Sequence, residues 1–228
     1  SKATKKSILY AVAALLLILL AMWVRYASRT IYHNVWLNYL RSGIYIFLFT
    51  AWWISIRSRI VQSQVRRHLL SISALMILWL LLRSIKYAVF QTDVCRYLWY
   101  GYYLPMLFIP TFALMVAMSL GRAENYRLPR WTRLFYFVAG SLFLLVMTND
   151  LHQWVFTFPG SVMTDEGHGY AFGYYIALAW MLLCAVSSIV MLLARCRLPH
   201  SRVYRVLPLI PFALSIAYVY ASLRKVYW

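Results

Sequence analysis

Residues 172–194 read FGYYIALAWMLLCAVSSIVMLLA, 23 positions without one charged side chain, closed by Arg195. A helix rising 1.5 Å per residue carries such a run across roughly 34 Å, more than the ~30 Å of hydrocarbon in a bilayer. In lipid the backbone amides must be satisfied within their own segment, so the run reads as a membrane-spanning helix. Working outward, six further apolar stretches follow the same logic, at 8–24, 35–56, 70–90, 97–119, 133–149 and 207–223. The composition agrees, with 64% hydrophobic against 12% charged residues and a mean hydropathy of +0.67. The expected fold is all-α, a polytopic bundle of seven transmembrane helices.

The connections between the stretches alternate in charge. Lys2, Lys5, Lys6, Arg57, Arg59, Arg66, Arg67, Arg122, Arg127, Arg130, Arg133, Arg195, Arg197, Arg202 and Arg205 fall on one side, fifteen of the 23 lysines and arginines. The positive-inside rule makes that side cytoplasmic, with the N-terminus inside and Trp228 outside. Asp93, Asp150, Asp165 and Glu166 fall opposite; only Glu124 shares the basic side. The net charge of +18 therefore reads as helix-end cations facing anionic headgroups, and nucleic acid is not an expected partner. The first stretch has no small-residue cleavage site before Arg25 and reads as a retained signal-anchor helix. Cys95, Cys184 and Cys196 are separated by helix lengths, so no disulfide framework is expected. No linker or low-complexity segment divides residues 1–228, which read as one domain: an extra first helix at 8–24 and a bundle at 35–223.

Ionisable residues within spans weigh most, because centring one in lipid costs about 2.5–3.5 kcal/mol. Arg41 lies in the second span, Arg83 and Lys86 in the third. Asn38, Arg41 and Tyr45 share one helix face, and Arg83, Lys86 and Tyr87 another. Asp93, Arg96, Asp150 and His152 follow on the same side. Together these residues predict an outward-facing polar chamber in which cations outnumber carboxylates, suited to a carboxylate or phosphate. The competing reading is that Arg83 and Lys86 snorkel to headgroups or pair with Asp93 and Asp150. Tyr102, Tyr103, Pro105 and Pro110 mark the fourth span as one that kinks. Other aromatics near span ends, Trp99 and Tyr100 among them, read as interfacial anchors.

The longest outer loop runs from Asn149 to Tyr170, where residues 155–158 and 161–164 flank Pro159-Gly160 as a small hairpin. Asp150, His152, Asp165, Glu166 and His168 match no metal spacing, and neither a metal nor a cofactor is expected. Nucleophile-elbow, zinc-protease and phosphate-loop motifs are absent, and no catalytic residue is assigned. Lys225 lies beyond the seventh stretch, which speaks against a retinal protein.

Two segments carry a resemblance. Tyr97-Leu98-Trp99-Tyr100-Gly101-Tyr102-Tyr103-Leu104-Pro105 runs through Pro110 to Ser119-Leu120-Gly121-Arg122, and the next span ends in Thr148-Asn149-Asp150-Leu151-His152. Over roughly 36–222 the chain resembles the amino-terminal seven-helix transmembrane sensor region of bacterial histidine kinases and related signalling proteins. The resemblance implies a receptor of a two-component system in the bacterial plasma (inner) membrane, a cytoplasmic output domain or kinase, and a homodimer. It aligns the family's first helix with 35–56 and its sixth with 207–223, leaving 8–24 as an addition and a seventh family helix unaccounted for. Histidine-kinase catalytic motifs are absent from the chain itself.

The leading expectation is a ligand-sensing input domain. Its unknown small molecule or lipid ligand would meet Arg41, Arg83, Lys86, Tyr102, Tyr103, Asn149, Asp150 and His152. The alternatives are a small-anion transporter or channel, and a ligand-free membrane scaffold. A permeation path requires polar residues through the inner halves of the third and fourth spans, where Ile72–Leu80 and Phe112–Met118 offer Ser73 and little else.

Overall fold

A computed structural model describes residues 12–24, 35–123, 126–160, 163 and 168–195. The helices are α1 (Val12–Val24), α2 (Val35–Arg59), α3 (Ser63–Ala88), α4 (Thr92–Gly101), α5 (Tyr103–Ser119), α6 (Arg133–Met147), the single turn α7 (Asn149–His152) and α8 (Phe172–Arg195). A 3-10 turn, Arg130–Thr132, leads into α6, and β1 (Phe156–Thr157) pairs with β2 (Gly169–Tyr170). The predicted 207–223 span and Cys196 lie outside the described residues, as do Asp165 and Glu166.

Four units are long and apolar enough to cross a membrane: α3, the run Thr92–Ser119, the run Arg130–Met147, and Phe172–Ala194. The last coincides with the uncharged run at 172–194. α2 is 25 residues long, but Arg41, three tryptophans and several serines dilute its apolar character. The outward faces carry the membrane signature. Leu182, Leu183, Val186 and Val190 on α8, and Leu134, Phe137 and Leu144 on α6, are exposed at helical spacing. A helix that is apolar on both its packed and its open faces suits lipid rather than water.

α5 is the hub, packing against α3, α6 and α8, while α2 lies on α3. Its start follows from proline chemistry. Pro105 has no N–H to give the Gly101 carbonyl, and the helical ladder breaks there: Tyr102 N–H turns tightly back to Trp99 O at 3.1 Å before Met106 N–H reaches Tyr102 O at 3.2 Å. The predicted fourth span is thus two helices in line, starting five residues earlier than its apolar run. Pro110 withholds a second donor inside α5, and one residue on, Thr111 Oγ1 bonds Leu107 O at 2.8 Å and accepts Trp180 Nε1–H of α8 at 3.4 Å.

The core forms two layers. Near the 148–171 loop, Tyr100, Tyr103, Leu107, Leu142, Val146, Val155 and Phe156 pack together. Towards the basic connections, Leu114, Met115, Met118 and Cys184 form the second layer. Ser73, buried between α3 and α2, gives its hydroxyl to Phe49 O at 2.9 Å.

Of the expected hairpin, residues 161–162 and 164 lie outside the described residues; among those described, Phe156 pairs with Tyr170 and Thr157 with Gly169, antiparallel. The start of α8 sets this register, because Ala171 N–H bonds Val155 O at 3.0 Å and Gly173 N–H bonds Trp154 O at 2.8 Å. A Cβ at Gly173 would stand 2.9 Å from that Trp154 oxygen, so the close approach requires glycine.

Candidate functional site

The loop end holds a saturated polar network. Asp93, Arg96, Tyr97 and Tyr100 occupy one face of α4 at i, i+3, i+4 and i+7. Arg96 is only 7% exposed. Its Nη1 donates to Asp93 Oδ1 at 2.8 Å and to Met163 O at 2.7 Å. Its Nε and Nη2 converge on Asp150 Oδ2 at 3.2 and 2.9 Å, and the other carboxylate oxygen accepts Tyr100 O–H at 2.8 Å. A buried guanidinium with a carboxylate fork and a carbonyl is the arrangement that makes such a charge tolerable. Burial pushes the Asp150 carboxyl up, but hydrogen bonds from Tyr100, Arg96 and Tyr97 outweigh it and hold Asp150 below the usual carboxylate range.

Asn149, fully buried, organises the loop around this network. Its Oδ1 accepts the N–H groups of Val155 and Phe156, both at 2.9 Å. Its Nδ2 donates to Phe156 O at 3.0 Å and to Tyr100 Oη at 3.2 Å. All four hydrogen-bonding positions of the amide are filled by the chain. His152 closes the turn: its Nδ1 accepts Trp154 N–H at 3.0 Å, which puts the neutral ring's proton on Nε2, 3.2 Å from Thr148 Oγ1. Gln153, left-handed at φ 51°, caps the turn through N–H to Asn149 O at 2.7 Å. Tyr103 is buried against Phe156, ring centroids 5.6 Å apart, and Tyr102 sits at the α4–α5 break.

A second feature lies between α2 and α3. Arg41 and Arg83 line one cleft of about 240 Å³ with Ser42, Tyr45, Phe49, Met76, Trp79 and Leu80. The described wall carries guanidinium, hydroxyl and indole donors, and no carboxylate. Trp79 Nε1 is buried with no acceptor among the described residues, a cost of about 1–3 kcal/mol unless something supplies one. A third, apolar cleft of about 480 Å³ runs between α3, α4 and α6, lined by Leu78, Leu82, Leu98, Phe143 and Met147, with Asp93 and Tyr97 among its walls.

The structure divides the predicted chamber in two. Arg41 and Arg83 come together; Asn149, Asp150 and His152 belong to the loop network; Lys86 lies one turn beyond Arg83, apart from the cleft lining. Asn38's side chain lies outside the described residues. The sequence reading placed Arg96 and Asp93 on this side but passed over Arg96 as the central cation and took Tyr100 for a belt aromatic. The signal was present as the 93/96/100 spacing. Trp79 carried none, since an orphaned indole appears only once its neighbours are placed. Among the described residues no group of three or more His, Cys, Asp or Glu is gathered that could hold a metal.

Both features fall within the segment that the comparisons recognise. The model of one family, described as the N-terminal 7TM region of histidine kinase, matches residues 39–226. The chain belongs to this family. The match takes in the Arg41–Arg83 cleft, the α4–α5 break and the whole Asn149 loop of this 7TM histidine-kinase region, and leaves α1 outside it. No curated protein and no solved structure matches the chain.

Proposed function

We propose that this 7TM region is a ligand-sensing input domain whose ligand is a small amphipathic anion held in the α2–α3 cleft. One observation carries the reading: the buried Trp79 indole N–H has no acceptor among the described residues, and it shares a cleft with the positive charges of Arg41 and Arg83 and with no described carboxylate. A carboxylate or phosphate would accept from Arg83 and Trp79 within the positive field of Arg41, and its apolar part would lie along Phe49, Met76 and Leu80. The Arg96–Asp150–Asn149 network is the frame that fixes α4, α6 and the loop. The basic connections face the cytoplasm of a bacterial cell and the loop faces out, as the positive-inside rule has it.

A ligand shifts a two-state equilibrium only by its differential affinity for the two states. The cleft-bearing α3 packs on α5, and α5 on α8, so a change in α2–α3 spacing reaches the proline-interrupted hub and then the basic end, where an output kinase would attach. The test uses the purified chain in lipid nanodiscs with a graded series of alkyl carboxylates and alkyl phosphates. The expected result is a melting-temperature rise in wild type that Arg83→Ala loses while its unliganded melting point stays near wild type. An equal rise in Arg41→Ala and Arg83→Ala would move the binding elsewhere.

A further inference from the structure

The basic end carries a second cleft, at the opposite end of the bundle and independent of the first. It measures about 420 Å³, within the ~300–1,000 Å³ range of small-molecule pockets. Arg67 of α3 and Arg127, Arg130 and Arg133 of the segment entering α6 line it, and none of the described lining residues is acidic. Among the described residues none of the four forms an ion pair; the pairs found are those of Arg96. Arg130 and Arg133 stand three apart across a 3-10 turn, whose three-residue period sets them on one side. Thr132, buried, fixes that turn through Oγ1–H to Pro129 O at 2.7 Å.

The remaining wall is equally built. His68 is buried; its Nδ1 lies 2.7 Å from Gln64 O and so donates, leaving Nε2 to accept Tyr136 O–H at 2.7 Å. Phe112 packs on both rings, at 5.7 Å from each. Arginines that only anchored the helices to the headgroup region would have no reason to surround one cavity with a fixed aromatic wall. Arg57 and Arg122, at the same end, do not line it.

We propose that this cleft binds a phosphate-bearing anion, its phosphate held by the arginine forks and its carbon part against Phe112 and Tyr136. Planar guanidinium pairs suit phosphate geometry, and basic pockets between membrane helices on the cytoplasmic side suit phospholipid headgroups. A headgroup and a free phosphate ester present the same chemistry, and the test separates them.

The chain is purified into phosphatidylcholine nanodiscs with and without phosphatidylglycerol, and binding is read by native mass spectrometry and by titration with glycerol 3-phosphate. Retention of phosphatidylglycerol over phosphatidylcholine is expected, and Arg127→Gln/Arg130→Gln weakens it about tenfold or more. The charge-matched pair Arg57→Gln/Arg122→Gln changes it by no more than about twofold. Displacement by glycerol 3-phosphate assigns the site to a soluble ester, and retention of the lipid against it assigns the site to a headgroup. Equal weakening by both pairs, or no preference for either phosphate probe, overturns the proposal. If the first pair fails to fold, Arg67→Gln on α3 reads the same cleft.

Discussion

Asn149 shows how far a single side chain can be read in advance. The run Thr148-Asn149-Asp150-Leu151-His152 was recognisable as a motif, and it suggested ligand contact. Its hydrogen bonds run to Val155, Phe156 and Tyr100, partners that exist only once the loop has folded back. Asn149→Ala orphans two N–H groups and a carbonyl, while the Tyr100 hydroxyl keeps its bond to Asp150. At about 1–3 kcal/mol for each unsatisfied group, the expected loss is about 3 kcal/mol or more, measured by thermal unfolding in detergent; a melting point within error of wild type would show that water replaces the amide freely. Asp150 gives a pH test. Its folded pKa lies below the ordinary carboxylate value of about 3.9, so its stabilisation is complete above that value and is lost as pH falls through the folded pKa. Unfolding scans below about pH 4 are expected to show wild type losing stability more steeply than Asp150→Asn; parallel curves would remove Asp150 from the linkage.

Among the elements, length and hydropathy located the helices well, and local chemistry decided their joints. The 172–194 run became α8 with one further residue, because an uninterrupted apolar run in lipid has no alternative conformation. The α4–α5 break was signalled by Pro105 but not its position, which follows from the carbonyl that a missing N–H leaves bare. The turn residues Pro159-Gly160 gave no sign of the β1–β2 pairing, because β1 is held by the start of α8, over a dozen residues away. Gly173→Ala tests that docking. Its Cβ would meet the Trp154 oxygen at 2.9 Å and a Val155 methyl at 3.1 Å, so a loss of about 1–3 kcal/mol is expected from thermal unfolding. An unchanged melting point would mean that β1 can move off α8 without cost.

For the molecule as a whole, the sequence made the family and the membrane class legible because both rest on composition and span-length runs. It did not reveal that these polar residues separate into a hydrogen-bonded network around Arg96 and a cationic cleft between α2 and α3. That division depends on α3 passing between α2 and α4, a packing choice that charge counting cannot resolve. The central claim is that Arg41 and Arg83 serve a ligand rather than the fold, and replacing both by methionine tests it. On the proposed reading of the chain as a kinase input domain, the measurement is autophosphorylation of that kinase in its native membranes, across growth conditions that change the wild-type signal. The account predicts a folded, membrane-inserted variant whose output no longer changes with condition. A variant that follows the wild-type response from condition to condition would contradict it and leave the two arginines as parts of a scaffold.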